Sequence, residues 1–162
     1  MDNIKWIDDA IERAKDAVWL DGHERALEWL RPLLFDEPGY GRLHLALAEI
    51  LHQHADDLKT AEGHYRMAIR FDPKLVLAYQ GLSDILSDDE RHTEAIRICK
   101  DGLRHCKSNR SILMTNIGRS WELRQRYRKA IRHYRRALRQ SAQLWDCKVL
   151  EESIMRCKRK QR

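Results

Sequence analysis

Between residues 127 and 139, small or apolar side chains fall at Ala130, Ile131, Tyr134, Ala137 and Leu138, while arginine dominates the positions between them. Spacings of i, i+1, i+4, i+7 and i+8 predict an amphipathic helix with one buried stripe. The same phase runs back through the chain. A small residue followed four positions later by a larger one occurs as Ala26 and Leu30, Ala61 and Tyr65, Ala95 and Cys99, and Ala130 and Tyr134, with successive copies 34 or 35 residues apart. Three residues beyond the larger members stand Leu33, Ala68, Gly102 and Ala137, and five beyond those Pro38, Pro73, Lys107 and Ala142. A second series of small residues, Ala14, Ala48, Ser83 and Gly118, precedes the first, with Leu51, Leu86 and Trp121 following the last three of them. Two antiparallel helices approach closely only where one presents a small residue and the other a large one. The pattern therefore predicts four helix pairs, A then B, each burying its stripe against its neighbours.

Turn residues agree with this phase. Asp72-Pro73 offers an N-cap and a first-turn proline for the third A helix, and Ser108 or Asn109 offers a cap for the fourth. Asp21-Gly22 and Asp88-Asp89 stand where A helices turn into B helices. Pro32 predicts a kink or early end in the first B helix, and Arg13 occupies a position that is apolar in the other copies. Beyond the fourth pair, Leu144-Trp145, Val149-Leu150 and Ile154-Met155 predict one more amphipathic helix that closes the end of the stack.

With Tyr79-x2-Leu82-Ser83-x2-Leu86 and Ala95, then Ile117-Gly118-x2-Trp121 with Ala130, Tyr134 and Ala137, the sequence resembles the tetratricopeptide repeat (TPR) family over roughly residues 7 to 142. The resemblance implies an all-α fold, an α-α superhelix or TPR-like solenoid of about four helix pairs plus a C-terminal capping helix. It implies a single domain over 1–162, with repeats at about 7–40, 41–75, 76–110 and 111–144, the capping helix at about 143–158 and a basic tail at 158–162. It also implies a non-catalytic scaffold or adaptor whose A helices line a concave groove for a partner peptide or helix. By the family's groove positions, that surface holds Leu45, Glu49, His52 and Gln53, then Leu77, Gln80, Asp84, Ser87 and Asp88, then Ile112, Thr115, Arg119, Glu122 and Leu123. Acidic residues outnumber basic ones there, which favours a protein ligand with Lys or Arg and an apolar anchor. Some relatives clamp a C-terminal carboxylate with Lys and Asn. The matching positions here hold Leu45, Glu49, Gly81, Ile112 and Asn116, or one repeat earlier Ile11, Lys15, Leu45, Leu77 and Gly81, so the clamp is not expected.

Composition adds limits. Only three prolines and seven glycines among 162 residues suit helices joined by short turns. No run approaches the ~20 apolar residues of a membrane span, and the N-terminus lacks the basic and apolar regions of a secretion signal, which together lead to a cytoplasmic expectation. Cys99, Cys106, Cys147 and Cys157 form no C-x-x-C pair and are expected as reduced thiols, with Cys99 and Cys106 on one helical face. No phosphate loop, dinucleotide fingerprint, nucleophile elbow or zinc-protease motif appears, so no catalysis and no cofactor is expected. His52, His54, Asp56 and Asp57 are the best metal-ligand cluster, but solvation of a turn accounts for them; His44 and His64 would need the fold to join them.

Charge is unevenly placed: residues 1–118 carry a net charge of −5 and residues 119–162 a net charge of +11. Because the apolar stripe of the last B helix faces the core, Arg128, Arg132, Arg135, Arg136 and Arg139 are expected to fan over the convex side. The alternative function is therefore polyanion binding, to nucleic acid or an anionic membrane surface, through this basic quarter. Trp6, Trp19, Trp29 and Trp145 near the two ends admit a third possibility, a homodimer.

Overall fold

The computed structural model describes residues 4–20, 22–141 and 143–161. Among these there is no strand, and ten helices follow one another: α1 (Lys5–Leu20), α2 (His23–Leu30), α3 (Leu33–Asp36), α4 (Gly41–Gln53), α5 (Leu58–Phe71), α6 (Val76–Asp88), α7 (His92–His105), α8 (Arg110–Leu123), α9 (Tyr127–Leu138) and α10 (Leu144–Lys160). The helices group into two compact units, the first running to Gly81 and the second from Leu82.

In the first unit α1 packs on α2, both pack on α4, and α4 packs on α5. Ile7, Ile11, Ala14 and Ala17 form the buried stripe of α1. Pro32 acts as expected: α2 ends at Leu30 and the chain restarts as the single-turn α3, with Pro32 at its N-cap. The ring of Tyr65 in α5 lies against Gly81, where any Cβ would overlap the phenol. Asp72-Pro73 does not cap the third A helix. Asp72 is the C-cap of α5, its carboxylate accepts the Lys74 N–H at 3.0 Å, and α6 begins only at Val76. The pair instead builds a side-chain-closed turn, the ordinary use of Asp before Pro in a connection.

In the second unit α7 packs on α8, α8 on α9, and α9 on α10. The stripe Ala130, Ile131, Tyr134 and Ala137 is buried, with His133 buried beside it. Tyr134 presses on Gly118 of α8; a Cβ there would sit 2.6 Å from the ring. In this pair a small and a large position of the repeat are literal contact partners, whereas Tyr65 meets Gly81, which lies outside both series. α10 buries Leu150, Ser153, Ile154 and Cys157. Its helix runs to Lys160, so Lys158, Arg159 and Lys160 form the last turn of a helix and not a tail, where their charges complement the carbonyl end of the macrodipole. Asn109 stands at the N-cap of α8 in a left-handed conformation, without a side-chain capping bond.

Among the described residues, each A-to-B turn holds one residue at positive φ: Gly22 at φ 94°, then Asp56, Glu90 and Gln125 at φ 51°, 57° and 58°. After α6 and α8 the hydrogen bonds are those of a Schellman motif, with Arg91 N–H donating to Leu86 O (2.7 Å) and Arg126 N–H to Trp121 O (2.9 Å). Asp88 ends α6, two residues before the left-handed Glu90; Asp21 lies outside the described residues. The cysteines are free thiols; Cys99, Cys106 and Cys157 are buried. Cys106 is the C-cap of α7, just past the helical face that carries Cys99. No described helix is long and apolar enough to cross a membrane.

Candidate functional site

In the second unit the expected groove residues of α6 and α8 meet as a polar cluster. Asp84 and Asp88 are one turn apart on α6, and Asn116 and Arg119 nearly one turn apart on α8, so the two rows face each other. Arg119 donates from Nη1 to Asp84 Oδ1 (3.3 Å) and from Nη2 to Asp88 Oδ1 (3.2 Å). Asn116 Nδ2 donates to Asp84 Oδ1 (3.1 Å) and to Ser83 Oγ (2.6 Å). Burial pushes the Asp84 carboxyl up to about 6 despite Arg119, with Asp88 adding to the rise. This carboxylate has therefore been only partly repaid for the water it lost. Ser87, expected on the same face, is instead buried, with its hydroxyl 3.3 Å from that of Ser120.

Next to this cluster is a recess of about 480 Å³ lined by Thr115, Arg119, Glu122, Leu123, Val149 and Arg156. Glu122 is its most deeply set charge. It accepts hydrogen bonds from Tyr134 Oη (2.9 Å), Arg156 Nε (2.7 Å) and Arg156 Nη2 (3.0 Å), and Lys160 Nζ lies 3.9 Å away. Burial alone would push its carboxyl up, but the Arg156 and Tyr134 hydrogen bonds outweigh burial and hold it below its ordinary value. Leu123 and Val149, 48% and 42% exposed, leave apolar surface at the edge of this charged site.

The first unit holds the other expected groove residues. Leu45 and Glu49 lie half-buried on α4, and Gln53 is exposed at its end. Burial raises the Glu49 carboxyl, Lys15 opposes the rise and Glu12 adds to it. On α6, Leu77 is 45% exposed and Gln80 is half-buried and already engaged. His52 points Nδ1 at Tyr65 Oη, 3.3 Å away.

Three participants were not visible as such in the sequence. Asn116 appeared only as a position of the carboxylate clamp, Tyr134 only as core, and Arg156 only within the net +11 of residues 119–162. The last carries no sequence signal, because nothing in the repeat fixes how a terminal helix is rotated against α8.

The expected basic face is formed by α9, where Arg128, Arg132, Arg135, Arg136 and Arg139 are all exposed. None of them is ion-paired among the described residues. His133 beneath them is driven down to about 4, first by burial and then by Arg132, Arg136 and Lys100. The metal-ligand candidates separate: His52 turns to Tyr65, while His54 meets Trp19 edge-on at 5.6 Å. The His44 and His64 Nδ1 atoms do approach, at 3.0 Å, with His44 Nε2 donating to Pro38 O. The described residues contain no cluster of three or more metal-ligating side chains.

No protein-family model matches the chain. No curated protein matches its sequence. Solved structures do match its fold. Pseudomonas aeruginosa PilF superposes with a TM-score of 0.80 at 19% identity, covering 96% of this chain and 68% of that one. Yeast Tom70 gives a TM-score of 0.84 at 15% identity, with 96% of this chain spanning 33% of its length. A thermophilic TPR protein of Thermus thermophilus gives 0.72 at 16% identity, with 90% and 80% covered. At these identities the likeness speaks for the fold.

Proposed function

From a chain that carries the tetratricopeptide-repeat fold, we propose a non-catalytic scaffold that holds a protein segment against its A helices. The segment carries lysine or arginine together with an apolar residue. The observation that carries this reading is Glu122 clasping the chain's own Arg156 through two hydrogen bonds. An A-helix carboxylate in that setting is built to take a guanidinium, since two-point donor geometry is what arginine offers and lysine does not. Asp84 and Asp88 are the next carboxylates along the same unit, held by a single arginine between them. An incoming cation would relieve Asp84 of a desolvation cost that Arg119 leaves partly unmet.

Leu123, Val149 and Thr115 supply the apolar and hydroxyl edge of the same recess. In the first unit, Leu45, Glu49, Gln53, Leu77 and Gln80 repeat the combination of an exposed leucine and a desolvated carboxylate. The test is a comparison of partners captured from a lysate by the native protein and by Asp84→Asn/Asp88→Lys, followed by titration with synthetic segments of those partners. The expected outcome is a loss of at least about tenfold for segments bearing arginine or lysine, the scale of one charge-assisted contact. Unchanged affinity for every segment would remove this face from the function.

A further inference from the structure

On the other side of α8 lies a larger recess, about 570 Å³, between α7 and the end of α8. Its wall combines Ile96, Ile98 and Trp121 with Arg97, Lys100 and Arg124. Both nearby carboxylates are already occupied: Asp101 is paired with Arg104 (3.3 Å) and Glu94 with Arg91 (2.8 Å). Arg97, Lys100, Arg124 and Lys129 have no ion-pair partner among the described residues. The exposed arginines of α9 add to the same sign, and Lys100, Arg132 and Arg136 all help hold the buried His133 neutral.

We propose that this recess is a second docking surface, for an acidic peptide segment with one large apolar residue. The apolar residue seats against Ile96 and Ile98. Its flanking carboxylates meet Arg97, Lys100 and Arg124, none of which is ion-paired among the described residues; the Arg124 guanidinium donates only to the Thr93 hydroxyl, at 3.2 Å. Nucleic acid fits less well. The ring that would have to stack on a base, Trp121, is already covered by Arg124 at 5.0 Å and Lys129 Nζ at 4.4 Å, and Tyr134 is buried in the core. A phosphate backbone brings nothing for the isoleucine floor, whereas a leucine or phenylalanine side chain does. This surface shares no residue with the A-helix face, so it stands or falls independently of that reading.

Fluorescence anisotropy on the full chain tests it with three labelled probes of equal charge and about twelve units each: a glutamate peptide with a central Leu-Phe pair, the same peptide with Ala-Ala, and a uridine oligonucleotide. The Leu-Phe peptide is expected to bind about tenfold or more tightly than the Ala-Ala peptide, and more tightly than the oligonucleotide. The exposed double reversal Arg97→Glu/Lys100→Glu, checked for unchanged helix content, is expected to reduce Leu-Phe binding at least about tenfold. Equal affinity for the two peptides would mean a diffuse field and no site. Tighter binding of the oligonucleotide would make the face a nucleic-acid surface. Either result, or a double reversal without effect, overturns the proposal.

Discussion

Gly118 and Gly63 are both helical glycines, yet the fold asks opposite things of them. A methyl at Gly118 would drive into the Tyr134 ring at 2.6 Å, while nothing lies within 4 Å of a Cβ at Gly63. Gly118→Ala is therefore expected to destabilise by about 1–3 kcal/mol through overpacking. Gly63→Ala is expected to stabilise by about 0.5–1 kcal/mol through helix propensity, and urea melts would read both. The contrast was half legible in the sequence. Gly118 falls in the series Ala48, Ser83, Gly118, which marks it as a contact point, whereas Gly63 falls outside both series. Asp84 is the opposite case. Its number and helix face follow from the repeat, but its burial beside Asn116 and Arg119 depends on how two helices sit together. Its pKa, raised to about 6 by burial, means that ionised Asp84 costs stability as pH rises from about 4 through 6. Asp84→Asn should accordingly raise the melting temperature at pH 7.5 even as it weakens binding of a cationic segment.

At the scale of the element, α10 is the instructive case. The apolar pairs 144–145, 149–150 and 154–155 predict the helix, and Leu150 and Ile154 do face the core, but Leu144 and Trp145 are 78% and 73% exposed. The pattern reveals that a helix exists; which way it is rotated is decided by Cys157 and Ser153 packing inward and by Arg156 reaching Glu122. Removing that arginine leaves a carboxylate only 10% exposed, with Tyr134, the Cys157 thiol and the more distant Lys160 as its partners. Arg156→Ala is expected to cost about 1–3 kcal/mol in chemical denaturation, and Glu122→Gln made on the same background should recover part of it. The turns teach the same lesson from the other side. Their 34-residue recurrence was partly in view, but their left-handed residue was not, because only the first of the four is glycine.

For the whole molecule, pH is the probe that reaches both units. His64 in the first and His133 in the second are held neutral, each first by burial, then by neighbouring positive charge or by the paired imidazole. A histidine whose folded pKa is depressed takes up its proton more readily when unfolded, so stability is full above about pH 6.5 and declines as pH falls toward the folded value. For His133, with a folded value of about 4, the loss amounts to at most about 3 kcal/mol. Between pH 7.5 and 5 this loss opposes the gain from protonating Asp84, so His133→Gln should raise the melting temperature at pH 5 relative to pH 7.5 when compared with the native protein. The contrast between a net −5 over residues 1–118 and +11 beyond them was plain from the sequence, and so was the repeat that distributes these charges over helix faces. What the sequence could not supply was the pairing among those charges. Arginines 119 and 156 are spoken for, while those of α9 are not, and no spacing rule separates the two groups.

The left-handed residues Asp56, Glu90 and Gln125 have a practical consequence. Glycine adopts that conformation without the penalty of a Cβ, so each replacement by glycine should raise stability by up to about 1 kcal/mol while touching neither the A-helix carboxylates nor the cationic recess. Gln125 also lines the recess beside Glu122, whereas Asp56 and Glu90 line neither recess, so the single and double variants at Asp56 and Glu90 would give a graded set of proteins with the same binding faces. Such a set is a calibration series. A ligand whose binding requires a repeat to become ordered should gain apparent affinity from step to step, and one that docks on a surface already in place should not.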